Sequence, residues 1–179
     1  MLATLRAGPA HGYEIRQKVE WIHSGLLSLN PNVLYPALHR FEAMGALDKT
    51  VEPQQGRPPR HVYRLNARGA EVLHDLLADL SPSEAASDAE FKTRVAYFDL
   101  LDTRERLAVL DARDAALGTV LAQFDRFAER AAEGGWNEAV RVQAEERCRA
   151  ELAWVATLRS RVQAGADRCR QSKCRRSGP

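Results

Sequence analysis

The chain has 179 residues, of which 45% are hydrophobic, and a formal net charge of +2. That supplies enough apolar material for a core in one or two domains, but too little net charge to argue a nucleic-acid partner from the total alone. No apolar run approaches the length of a membrane span and no signal-peptide pattern opens the sequence, so a cytoplasmic protein is expected.

In chain order, Met1 to Arg6 reads as a helix already in progress, broken by Gly8 and Pro9. A second helix is expected from His11, with Ile15, Val19 and Ile22 at helical spacing and Gly25 as its stop. The third runs from Asn30 to Gly45, with Asn30 as its cap and Pro31 at its first position. Pro36 lies deeper and removes a backbone hydrogen bond, so an irregular first turn or a bend is expected there. Successive helical residues turn by about 100°. Leu34, Ala37, Leu38 and Phe41 therefore gather on an apolar face, with Asn32, Tyr35, Pro36, His39 and Ala43 opposite and Arg40 flanking them. That second face carries hydrogen-bonding groups and no acid, which suits a helix laid in a DNA groove. An ordinary amphipathic surface helix has the same pattern.

Leu47 to Val51 and His61 to Leu65 alternate apolar and polar residues around a linker holding Gly56, Pro58 and Pro59, the pattern of a β-hairpin. No acid lies between Glu52 and Glu71, whereas Arg57, Arg60, Arg64 and Arg68 all do, with Arg57 and Arg60 bracketing the hairpin tip. A basic, proline-stiffened wing suits phosphate or minor-groove contact; a solvated loop is the alternative. A helix from Asn66 to about Leu80, striped by Val72, Leu73, Leu76, Leu77 and Leu80, closes a first domain of residues 1–80.

Ser81 to Ser87 reads as a boundary, and the chain beyond it as helical throughout. Asp88 to Leu101 carries Phe91, Val95 and Phe98, and Asp102 with Glu105 is spaced like a capping box opening a long helix. Along that helix Leu107, Leu110, Asp114, Leu117, Leu121, Phe124, Ala128 and Ala131 form a heptad seam. Asp114 is its misfit, expected to face a splayed region rather than to pair across a dimer. Gly134 and Gly135 end the seam, and Trp136 to Val162 forms the last helix, giving a helical domain of residues 88–163. Residues 164–179 are basic and expected to be disordered. These stripes leave apolar faces wet in a monomer, so a homodimer is expected. Its two-fold axis would present two reading helices to a palindromic site.

Cys148, Cys169 and Cys174 match no common zinc spacing and are expected as reduced thiols. The histidines His11, His23, His39, His61 and His74 are scattered, and no nucleophile–base pair or phosphate-cradling glycine loop is found. No catalytic residue, metal ligand or cofactor is predicted.

The strings GPAHGYEI, LNPNVLYPALHRFEAMGAL and GRPPRHVYRLNARG together resemble the PadR family of bacterial transcriptional regulators, in order and spacing, from Met1 to about Leu80. EFKTRVAYFDLL and AELAWVATL more loosely resemble that family's helical C-terminal region. The chain departs from the usual pattern at Asn32 and Val33 (often Gly-Thr), Phe41 (Leu) and Asn66 (Thr), so an operator sequence does not carry over. The resemblance implies a mainly α fold: a winged helix-turn-helix domain of three helices and a two-stranded wing, then a helical dimerisation domain. It implies a homodimeric repressor binding a double-stranded DNA operator and released by a small aromatic or cationic effector. Candidate DNA-binding residues are Asn32, Tyr35, Pro36, His39, Arg40, Arg57, Arg60 and Arg64; candidate effector-binding residues are Tyr13, Arg94 and Trp154. Rival readings are a winged-helix protein-interaction adaptor, an activator, and a ligand-sequestering bundle.

Overall fold

Pro9 cannot continue the helix that opens the chain, and in the computed structural model that opening is a 3-10 helix, Leu2–Ala7, rather than an α-helix. The described residues are 1–22, 28–54, 57–128 and 135–176, without the side chains of 22, 54, 57, 58, 127, 128 and 166–176. The chain divides into two compact units, Met1–Leu77 and Ala78–Pro179.

In the first unit a two-residue strand β1 (Ala10–His11) leads into helix α1 (Gly12–Ile22), followed by α2 (Pro31–Ala43), strands β2 (Leu47–Gln54) and β3 (Arg57–Leu65), and α3 (Ala67–Ala78). The antiparallel sheet has the order β1-β3-β2, with Ala10 opposite Tyr63 and Lys49 opposite Tyr63 from the other side. The sequence predicts two strands; the third is too short to show any alternation. Ile15, Leu34, Leu38, Leu47, Tyr63 and Leu73 are buried and form the core under the sheet and helices. Burial, with the Glu42 carboxylate and Tyr35 nearby, raises the pKa of Tyr63 above the ordinary phenol value.

Asn30 caps α2 as expected, accepting from the Asn32 backbone N–H at 2.9 Å, and α2 continues through Pro36. Gly45, at φ +69°, turns the chain from α2 into β2, a left-handed conformation that costs glycine little. Asn66 then explains its own departure from threonine. Its Oδ1 accepts from the Gly69 N–H at 2.9 Å, capping α3, while its Nδ2 donates to the Gly45 carbonyl at 3.0 Å and to Asp48 Oδ1 at 2.9 Å. Threonine can cap a helix but has no amide with which to donate twice.

The second unit opens with α4 (Pro82–Ala86), where the sequence reads only as a boundary. Ser81 and Glu84 form a capping box: Glu84 N–H donates to Ser81 Oγ at 3.3 Å and Ser81 N–H to Glu84 Oε2 at 3.0 Å. Then come α5 (Asp88–Ala96), a 3-10 turn, α6 (Thr103–Ala128) and α7 (Trp136–Arg176). The expected Asp102–Glu105 box opens α6, with both hydrogen bonds at 2.8 Å. Helix α7 runs on to Arg176 in place of the expected disordered tail. One interior glycine, Gly165, costs a helix only about 1 kcal/mol, and no proline intervenes before Pro179.

Where α6 packs on α7, the buried residues are Val109, Leu110 and Leu117 of the first and Cys148, Val155 and Val162 of the second. Asp114 neither faces a splayed region nor needs a second chain: with Asp111 it pairs with Arg159 of α7. Cys148 Sγ–H donates to the Leu117 carbonyl at 3.5 Å, and burial, reinforced by Glu151, raises its pKa and holds it as a thiol. Arg113, which the heptad reading passes over, is almost fully buried. Its Nη1 donates to the Ala85 carbonyl at 2.6 Å, its Nε and Nη2 to Glu151 Oε1 at 3.0 and 2.5 Å, and its guanidinium lies 5.2 Å from the Phe91 ring centre.

The Ser81 hydroxyl and backbone N–H, assisted by Arg94, hold the Glu84 pKa below its ordinary value. A carboxylate depressed in the folded state contributes stability above its unfolded pKa and loses that contribution as pH falls through the folded one. The Ser81→Ala variant is therefore expected to lose helicity at a higher midpoint pH than wild type, as followed by circular dichroism at 222 nm from pH 6 downward. Equal acid midpoints for wild type and Ser81→Ala would exclude this capping box as a source of acid sensitivity.

Candidate nucleic-acid interface

Helix α2 buries Leu34, Ala37 and Leu38, and so turns Asn32, Tyr35, Pro36, His39 and Arg40 outward, all of them exposed. Val33, in the place where a hydroxyl is usual, is 55% exposed beside them. The outward face is not free of acid: Glu42 Oε2 lies 3.3 Å from His39 Nδ1 and 3.6 Å from Lys49 Nζ. His39 thus reaches a ligand only in competition with Glu42.

Arg60 and Arg64 are exposed on β3, whereas the side chain of Arg57 lies outside the described residues, as does the hairpin tip at residues 55–56. The sheet register sets Glu52 opposite Arg60 and Asp48 opposite Arg64. The acid-free window in the sequence is therefore not acid-free in space, because the neighbouring strand supplies the carboxylates.

An open cavity of about 620 Å³ brings Tyr13 of α1, Tyr35 of α2 and Arg60 of β3 together, with His11 and His61 also on its wall. Gly12 makes this meeting possible. A β-carbon at that position would stand 2.9 Å from Tyr35 Cε1, so the Tyr35 ring lies directly against the start of α1. Tyr13 is 58% exposed, accepts from Gln17 Nε2 at 3.0 Å and lies under the Arg16 guanidinium, 5.2 Å from the ring centre. Sequence periodicity misses His11 and His61, because neither lies on α2.

Arg94 is not an available effector-binding charge. Its Nε and Nη2 donate to the Asp79 carbonyl at 3.4 and 3.1 Å, Nη2 also to Glu84 Oε1 at 3.1 Å, and Nη1 to the Glu90 carbonyl and Oε2 at 3.2 and 2.8 Å. All five N–H groups of the guanidinium are engaged, and the residue ties α4 to α5. Trp154 meets Phe91 edge to face at 5.7 Å and retains 36% exposure on the wall of a shallow cavity of about 330 Å³ beside Asp88, Lys92 and Glu151. Tyr13 belongs to the first unit and Arg94 and Trp154 to the second. Among the described residues no group of three or more His, Cys, Asp or Glu side chains is placed to hold a metal ion, and no helix is long and apolar enough to cross a membrane.

Residues 1–75 match the transcriptional regulator PadR-like family. That match spans nearly the whole of the first unit. Its three helices and wing are the part of the chain that carries the family pattern. Among solved structures, Bacillus subtilis PadR in complex with operator DNA is 19% identical, with 90% of this chain and 96% of that chain covered and a TM-score of 0.42. A PadR family transcriptional regulator from Eggerthella lenta DSM 2243 is 31% identical over 43% of this chain and 64% of its own, with a TM-score of 0.37. Bacillus subtilis PadR in complex with p-coumaric acid is 19% identical over 90% and 92%, with a TM-score of 0.39. No curated protein matches the chain.

Proposed function

We propose that the protein is a transcriptional regulator that binds double-stranded DNA as a homodimer, with α2 reading the major groove and the β2–β3 wing lying on the backbone. The observation that carries this reading is the outward set Asn32, Tyr35, Pro36, His39 and Arg40 on a capped helix, standing beside Arg60 and Arg64 in a PadR-like domain. A homodimer is supported by Trp136 and Val140, one helical turn apart on α7 and 91% and 69% exposed. Repression of a palindromic operator, relieved by a small aromatic or cationic effector, is the mode that the family resemblance implies. The cavity beside Trp154 offers an aromatic wall to such an effector, with the carboxylates of Asp88 and Glu151 balanced by Lys92 and Arg147 around it.

Fluorescence anisotropy with duplex DNA from upstream of the protein's own gene, at several salt concentrations, tests the reading. Each phosphate contact contributes about 0.9 to the slope of log affinity against log salt, so Arg57→Ala with Arg60→Ala is expected to flatten that slope by about 1.8. Absence of any preference over competitor DNA would remove the specific-regulator reading. A protein-interaction adaptor, by contrast, would keep its partner in the double variant.

A further inference from the structure

The cavity between α1, α2 and β3 has more polar chemistry than groove reading uses. Its wall carries two imidazoles, His11 and His61, the Arg60 guanidinium and two phenol groups, Tyr13 and Tyr35. Glu14 is the single acid on that wall, and its Oε2 is already committed to the His11 backbone N–H at 2.9 Å. Because Gln17 donates to the Tyr13 oxygen, the Tyr13 hydroxyl proton remains available to a ligand. Arg60 is exposed at the edge of the cavity, and His11 Nδ1 is a shielded ring nitrogen without a hydrogen-bond partner. A buried polar atom without a partner is unfavourable until something supplies one.

We propose that this cavity is an oxyanion seat, in which Arg60 supplies the charge and His11, His61, Tyr13 and Tyr35 supply N–H and O–H donors to a phosphate or carboxylate oxygen. Donors on four elements, β1, α1, α2 and β3, line the cavity and favour an anion with several oxygens, since different oxygens then meet different elements. Two sources have that chemistry: a phosphodiester of the DNA backbone, and a free small oxyanion. Only the first depends on the proposed regulator function.

The test uses full-length protein with ¹⁵N-labelled histidine, titrated with sodium phosphate against sodium chloride at equal ionic strength. His11 and His61 ring resonances, identified by their loss in His11→Gln and His61→Gln, are expected to shift together and saturate in phosphate and not in chloride. Arg60→Ala, with its fold checked by circular dichroism, is expected to weaken phosphate binding about ten-fold. Equal responses to the two salts, shifts that do not saturate, or an Arg60→Ala protein that binds phosphate like wild type would each overturn the seat.

Duplex DNA added at fixed phosphate then identifies the source. Competition between duplex and phosphate assigns the seat to the DNA backbone; simultaneous binding assigns it to a free anion, and both outcomes support an oxyanion site. Phosphate-insensitive histidines in a protein that still binds DNA overturn the seat alone. Saturating phosphate shifts in a protein without DNA affinity overturn the regulator reading alone.

Discussion

Replacing Gly69 by alanine is expected to cost the first unit about 3 kcal/mol or more, at the upper end of what overpacking a filled site does. A β-carbon there would collide with the Ala46 carbonyl oxygen, stand 3.0 Å from the Ala46 carbonyl carbon and press to 2.7 Å on Leu65 Cδ1. The obstacle is backbone, so no rotamer change relieves it, and Ala46 is itself fully buried between α2 and β2. Relief requires α3 to lift away from the turn, which breaks the Asn66 cap and exposes Val72, Leu73 and Leu77. The same substitution at Gly118, inside α6 with open space around it, is expected to be neutral or to stabilise by about 0.5–1 kcal/mol through helix propensity. The urea midpoint should therefore fall for Gly69→Ala and stay level or rise for Gly118→Ala. Two midpoints displaced together, or Gly69→Ala at the wild-type midpoint, would show that α3 does not press on Ala46 in solution.

The second large effect concerns Arg113. Removing Arg113 leaves the half-buried Glu151 without its cation, which costs about 3–5 kcal/mol in comparable settings, whereas removing Glu151 leaves the buried Arg113 with Asp88 Oδ1 at 3.6 Å as its remaining carboxylate. Arg113→Ala is expected near the top of that range, because the Ala85 carbonyl loses its 2.6 Å donor and Phe91 loses the cation over its face in the same change. Arg113→Met with Glu151→Leu should recover most of the loss, since exchanging a buried ion pair for apolar groups of similar volume is often neutral or stabilising. A double-mutant cycle by chemical denaturation measures the coupling. Additive single effects would mean that the two residues act separately, against the 2.5 and 3.0 Å contacts between them.

What the sequence made legible follows from how local each interaction is. The Asn30 cap, the Asp102–Glu105 box and the outward face of α2 lie within a few residues of their partners, so spacing alone found them. The Ser81–Glu84 box has the same spacing and was equally legible; reading Ser81–Ser87 as a proline- and serine-rich boundary hid it. Strand β1 exists only because β3 offers it an edge, and two residues carry no periodicity. Arg113 answers to Glu151, 38 positions later, and to a carbonyl of α4, so a pattern that counts charged residues as exposed misplaces it. Arg94 fails for the same reason, a free charge in the sequence but a fully donated one in space. At the candidate interface, periodicity found the outward face of α2, but strand pairing decided which acids oppose the wing arginines.

Asn66 has a consequence for how DNA affinity can be regulated. One side chain clips the turn that leaves α2, the root of β2 and the start of α3, through Gly45, Asp48 and Gly69. The helix and the wing proposed to meet DNA are thereby delivered as one rigid implement with a fixed angle between its two blades. A signal that changes affinity then has two routes: to shift the whole implement relative to its counterpart in the proposed homodimer, or to occupy its surface directly.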